Sequence, residues 1–273
     1  MVADLVSRVG GDEVKLVALM GAGVDPHLYK PSASDAAELQ RADVIFYSGH
    51  HLEGRMADLF EKMGARGKLV VPVAEAIPED ELVVPEDAGG LPDPHVWGDA
   101  SLWATAIDPV AETLSRVLPE RADEIAARAD AYRRELGDLH EWAKARVAEL
   151  PEGQRVLITS HDAFNYFGRA YGFEVIGVQG LSTVSEAGLA DIAKTVDLIR
   201  ERGVKAIFVE SSVSPAAIER ISRDSGASIG GELFSDAMGT PGEIETAAGE
   251  SYDVGTYVGM LKHNVNTAVE ALR

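Results

Sequence analysis

The segment Glu120–Leu150, ERADEIAARADAYRRELGDLHEWAKARVAEL, contains no proline and a single glycine. Its apolar residues Ile125, Ala129, Tyr132, Leu136, Leu139, Ala143, Val147 and Leu150 recur at steps of three and four, which describes one face of a helix. At 1.5 Å per residue that helix spans about 45 Å. Pro119 near its start and Pro151-Glu152-Gly153 after it are start and stop signals. Such a helix is too long for an ordinary crossover. It is expected to run across the molecule and join two lobes, dividing the chain into 1–117, a connecting helix over 118–150, and 151–273.

On either side of that segment, short β-branched runs alternate with helical patterns. Strands are expected at Val14–Leu19, Val44–Tyr47, Leu69–Val73, Val156–Thr159, Glu174–Val178, Ala206–Val209 and Ala227–Ile229. Helices are expected at Ser34–Arg41, His51–Met63, Ser185–Arg202 and Pro215–Ser225. Continuous apolar strands separated by helices imply parallel sheets covered on both faces. The expected fold is therefore α/β, with two lobes, each a mainly parallel sheet flanked by helices, joined by one long helix.

Composition removes several function classes. With 25 Lys and Arg against 45 Asp and Glu, the formal charge is −20, which opposes nucleic acid and anionic membrane surfaces. There is no cysteine, so disulfides, thiolate metal sites and a cysteine nucleophile are excluded together. No apolar run reaches the roughly 18–20 residues that a bilayer span requires. The opening Met1-Val2-Ala3-Asp4-Leu5-Val6 is amphipathic and does not read as an export signal.

The chemistry is carried by a repeated triplet. Asp25-Pro26-His27-Leu28-Tyr29 and Asp93-Pro94-His95-Val96-Trp97 each present a histidine from a loop stiffened by proline, with an aromatic residue two positions on. The carboxylate two residues earlier can orient the imidazole by accepting its spare N–H, as around metal ions. Two further segments share this character. His161 follows a buried strand in Ile158-Thr159-Ser160-His161-Asp162, and Asp236 lies in a glycine-flanked loop in Phe234-Ser235-Asp236-Ala237-Met238-Gly239. Both fall outside the carboxyl ends of strands, where α/β sheets collect ligands. His27 and His95 from the first lobe, with His161 and Asp236 from the second, make a mixed nitrogen and oxygen site suited to Zn²⁺ or Mn²⁺. Ligands so far apart in sequence suit capture and release better than a structural zinc.

Taken in order, these motifs and Thr256-Tyr257-Val258-Gly259-Met260 resemble the cluster A-I, TroA-like zinc and manganese solute-binding proteins of bacterial ABC importers. The resemblance covers nearly the whole chain. It implies a rigid connecting helix, a metal ion held between the lobes as transported ligand, and the same four ligands, His27, His95, His161 and Asp236. It also implies delivery to a permease driven by an ATPase, a monomer, and a place in the periplasm or anchored on the outer face of the cytoplasmic membrane. Manganese-specific members often have Glu where this chain has His161, whereas zinc-specific members often carry a His-rich loop where Glu79–Pro92 is acidic and lacks His. Members of this type begin with a strand ahead of the segment matching Met1–Asp4, so the first sheet is expected to have an open edge beside apolar surface.

The remaining histidines read as bystanders. His50 and His51 sit near an expected helix start, with capping or packing roles, while His140 is expected on the surface and His263 packs in the last helix. Glu210, after a strand, is expected to support the site or the structure rather than bind the ion. Loops bearing His95 or Asp236, set among Gly and Pro, are expected to move on release. A zinc-dependent hydrolase is the rival class, and a surface adhesin on the same fold is a third reading. Neither His-Glu-x-x-His nor Gly-x-Ser-x-Gly occurs, so no catalytic residue is assigned.

Overall fold

A computed structural model describes residues 1–86 and 88–273. Ahead of the long helix lie α1 (Val2–Gly10), α2 (Ala33–Arg41), β1 (Val44–Tyr47), α3 (Ala57–Gly64), β2 (Leu69–Pro72), α4 (Ala100–Trp103) and α5 (Ile107–Val117). The long helix is α6 (Ala122–Val147), entered through a 3-10 turn at Pro119–Arg121. Beyond it follow β3 (Val156–His161), α7 (Asn165–Tyr171), β4 (Glu174–Gln179), α8 (Leu189–Arg202), β5 (Ala206–Glu210), α9 (Ala216–Ser225) and β6 (Ser228–Leu233). A hairpin of β7 (Ile244–Ala247) and β8 (Glu250–Asp253) precedes the last helix, α10 (Tyr257–Leu272).

The pairs β1–β2, β3–β4 and β5–β6 are all parallel, as continuous apolar runs between helices require. In α6, all eight apolar positions of the predicted face are buried, Leu150 just past its end included. Near its C-terminal end, Arg146 is buried too. Its Nε donates to Asn266 Oδ1 at 2.8 Å and its guanidinium also reaches Glu270, which ties α6 to α10. One apolar core runs continuously from Leu5 in α1 through Trp97, Trp103 and the face of α6 to Phe167, Tyr257 and Leu272. The lobes thus share a core as well as a helix.

Two expectations need correction, and one element goes beyond them. Val14–Leu19 forms no strand. Val14 is extended, with φ −105° and ψ 118°, but among the described residues β1 pairs with β2 alone. A cavity of about 730 Å³ is lined by both Val14–Leu19 and β1. The helix expected from His51 begins only at Ala57, because Gly49, His50 and His51 take φ of 100°, 48° and 64°. That left-handed run cannot start a right-handed helix, and it folds around Glu53, whose carboxylate accepts the Ser48 and Gly49 N–H groups. The β7–β8 hairpin was not anticipated, since its strands carry few apolar residues. It closes through Ala248 and Gly249, both at positive φ (52° and 81°), as a two-residue hairpin turn demands.

Candidate metal centre

Four segments bring the site together. His27 comes from the loop before α2 and His95 from the loop after β2, just ahead of a 3-10 turn at Val96–Gly98. His161 is the last residue of β3, and Asp236 follows β6. All four are buried, and one ligand atom from each lies within 4.8 Å of the others. His95 Nε2 stands 3.3 Å from the Nε2 atoms of both His27 and His161. Asp236 lies 3.3 Å from His95 and His161, and 4.0 Å from His27. Donor atoms about 2.0–2.1 Å from a common centre in tetrahedral array would be about 3.3–3.4 Å apart. All four sequence-predicted residues therefore meet.

The Asp-Pro-His triplets fold alike locally, with Asp25 Oδ1 accepting the His27 backbone N–H and Asp93 Oδ1 accepting that of His95. Only the second also orients a ring. Asp93 Oδ1 is 2.7 Å from His95 Nδ1, and since a carboxylate only accepts, Nδ1 carries the proton and Nε2 faces the centre. His161 is held in the same way by Glu210, which accepts the backbone N–H at 2.8 Å and Nδ1–H at 2.5 Å. Glu210 thus supports the site, as its sequence position suggested. Asn165, which the sequence reading passed over, donates to Asp93 Oδ2 at 3.0 Å. Its only signal was its place four residues after His161.

The His95 loop is locked against the second lobe. Tyr166 Oη donates to the Asp93 carbonyl and Tyr257 Oη to that of Trp97, while Trp97 Nε1 donates to the Ser235 carbonyl. Gly98 lets this loop approach α7, since a Cβ there would lie 2.9 Å from the Phe167 nitrogen. The other histidines lie elsewhere. His50 Nε2 bonds the Ala74 carbonyl, and His263 engages Glu245 and the Glu232 carbonyl. His140 departs from expectation: it is half-buried, 3.3 Å from Asp99 and packed against Tyr171, because α6 turns that face into the lobe junction.

The electrostatics favour a cation. Both Asp236 oxygens are buried with no hydrogen-bond donor among the described residues, an arrangement that is costly unless a positive charge faces them. Burial would raise the Asp236 carboxyl, but His161 and His95 outweigh it and hold it well below the usual carboxylate range. Burial lowers His27 to about 4. Burial opposes charge on His95 too, yet Asp93 and Asp236 carry it up to about 9. Against the same burial, Glu210 and Asp236 raise His161. The site therefore favours positive charge on His95 and His161 facing the Asp236 carboxylate, the charge that a divalent cation would supply instead. A 2+ ion facing the carboxylates of Asp236, Asp93 and Glu210 would leave one net negative charge.

Among known proteins, the family model described as zinc-uptake complex component A, periplasmic (ZnuA) matches residues 1–271. The chain is 46% identical over 277 residues to the manganese-binding lipoprotein MntA of Bacillus subtilis, covering 100% of this chain and 87% of that relative. It is 29% identical over 276 residues to the metal ABC transporter substrate-binding lipoprotein SloC of Streptococcus mutans, covering 100% and 87%. The structure superposes on the periplasmic zinc-binding protein TroA from Treponema pallidum with a TM-score of 0.93 and 43% identity, covering 100% of this chain and 96% of that one.

Proposed function

The chain belongs to the family of periplasmic zinc-uptake complex component A proteins, and from that premise we propose that it is an extracytoplasmic receptor holding one Zn²⁺ or Mn²⁺ ion on His27, His95, His161 and Asp236. The ion is cargo, handed to the permease of an ATPase-driven importer. The observation that carries this reading is the convergence of four buried donor atoms, from four distant segments, within 4.8 Å. Capture strips the ion of water. The cost is offset by three imidazole nitrogens, one carboxylate, and the two carboxylates behind His95 and His161, which fix the rings and add negative charge. Relatives named for manganese and for zinc both match along this chain's whole length. Three nitrogen donors favour zinc over manganese in affinity, and supply decides the cargo in the cell.

We assign 1–117 and 151–273 to the lobes and 118–150 to the connecting helix, and the receptor to the periplasm or the outer face of the cytoplasmic membrane, acting as a monomer. Among the described residues no helix is long and apolar enough to cross a membrane. A hydrolase needs an open position for water and a free acid or base. Here the side chains of His95, His161 and Asp236 are fully enclosed, and the carboxylates of Asp93 and Glu210 are bound to ring nitrogens. Metal analysis of chelator-stripped, reloaded protein is the test. One tightly held ion per chain is expected, with His27→Ala, His95→Ala, His161→Ala and Asp236→Ala each losing at least about 10–100-fold in affinity. Each tenfold loss should remove about 1.4 kcal/mol of metal-induced stabilisation. His50→Ala and His263→Ala should retain it. Two tight sites, or none, would sink the reading.

A further inference from the structure

The three histidines are not equally held. His95 and His161 are fully buried, and each has its Nδ1 clamped by a carboxylate. His27 has no partner at Nδ1 among the described residues, and it is the farther one from Asp236, at 4.0 Å. Its loop is the more open one: Gly21, Ala22, Gly23, Leu28 and Lys30 are exposed, its backbone is tied by a Val24 N–H to Gly21 carbonyl bond of 3.3 Å, and its anchor beyond His27 is Tyr29, whose hydroxyl donates to Asp35 at 2.8 Å. The loops bearing His95 and Asp236, expected to move, are instead cross-braced through Trp97, Tyr166 and Tyr257. His27 is the least braced of the three.

One contact restrains it from across the cleft. Thr183, buried in the turn between β4 and α8 of the second lobe, donates its hydroxyl to Asp25 Oδ2 at 2.5 Å. The other oxygen of the same carboxylate accepts the His27 backbone N–H at 2.8 Å. Asp25 thus links a hydroxyl of one lobe to a ligand of the other. Resting on the receptor reading above, we propose that Thr183 is a positioning residue: its hydrogen bond to Asp25 locks His27 onto the ion, and breaking that bond is the step that opens the site for release. A single charge-assisted bond suits this task, being strong enough to slow escape and weak enough for a docked partner to break.

The test is the rate at which Zn²⁺ leaves the loaded full-length chain into excess chromophoric chelator, by stopped flow. Thr183→Val keeps the shape and deletes the hydroxyl, and should speed release by about ten- to a hundred-fold, the worth of one hydrogen bond to a charged group. Thr183→Ser should restore a rate near that of the wild type. The melting temperature of the ion-free protein should fall by only a few degrees in Thr183→Val, the worth of one hydrogen bond, and recover in Thr183→Ser. Unchanged release in Thr183→Val would overturn the proposal. So would failure of Thr183→Ser to rescue, or a fall in ion-free melting temperature far beyond a few degrees, which would make Thr183 a packing residue. A wild-type chain that takes up no Zn²⁺ would instead sink the receptor reading itself, before any variant is compared.

Discussion

Glu210 and Asp93 do for their histidines what no ligand atom can do for itself. Each fixes the tautomer and the ring direction, and each adds negative charge behind the ion. Glu210→Gln removes the charge and keeps an acceptor, so affinity should fall by about tenfold, whereas Glu210→Ala frees the ring and should cost up to about a hundredfold. Calorimetric titration with Zn²⁺ checks the order; equal losses would mean that ring orientation is irrelevant. The same electrostatics set the pH response. His27, near 4, is neutral at pH 6 and yields no proton, but His95, near 9, must lose one to bind the ion. Affinity should therefore climb from about pH 6.5 toward 9, where ordinary imidazoles, near 6.5, would have levelled off. The ion-free fold responds in the opposite sense. A histidine raised in the folded state stabilises the fold below its unfolded value, and that contribution is lost as pH rises through about 9. Melting curves at pH 6.5, 7.5 and 8.5 should diverge, falling with chelator but staying nearly level at saturating metal, where the climb in affinity offsets the fall. Parallel curves would contradict this assignment of protons.

At the scale of elements, α6 carries the architecture. Its buried face packs on α1, α5 and α10, so a cavity there weakens both lobes together. Leu136, fully buried at mid-helix, is the informative position. Leu136→Ala should destabilise by about 2–5 kcal/mol, the range for large-to-small core changes. Chemical denaturation should still show one cooperative transition. Two separated transitions would mean that the lobes unfold independently despite the shared core. Metal affinity should be nearly unchanged, because no ligand is borne by this helix.

For the whole molecule, a long helix, one continuous core and hydrogen bonds from Tyr166, Tyr257 and Trp97 across the junction all resist wide hinge motion. Loading should therefore change the radius of gyration by less than about 1 Å, the scale of backbone change in preorganised complexes. Small-angle scattering of stripped and loaded protein checks this, and a closure of several ångströms would overturn the rigid-junction argument. A rigid junction is consistent with the proposed exchange at the His27 loop, where Thr183 reaches Asp25 across the cleft.

Much of this was legible in the chain because it is encoded locally. The face of α6 follows from a spacing of three and four residues, six of the seven expected strands from short apolar runs, and the four residues that converge in the candidate site from motifs a few residues long. The failures have a common cause. Val14–Leu19 has a strand's composition, but a strand exists only with a paired neighbour, and β1 pairs with β2 alone among the described residues. His140 reads as a surface residue until α6 is docked against Asp99 and Tyr171. The second Asp-Pro-His orients its ring and the first does not, a difference that identical triplets cannot express. The clasp of Glu210 on His161 and that of Thr183 on Asp25 join residues 49 and 158 positions apart. Hydrogen bonds act over about 3 Å of space, so sequence chose which donors and acceptors exist, and only the packing of distant segments, within each lobe and between them, decided which of them meet.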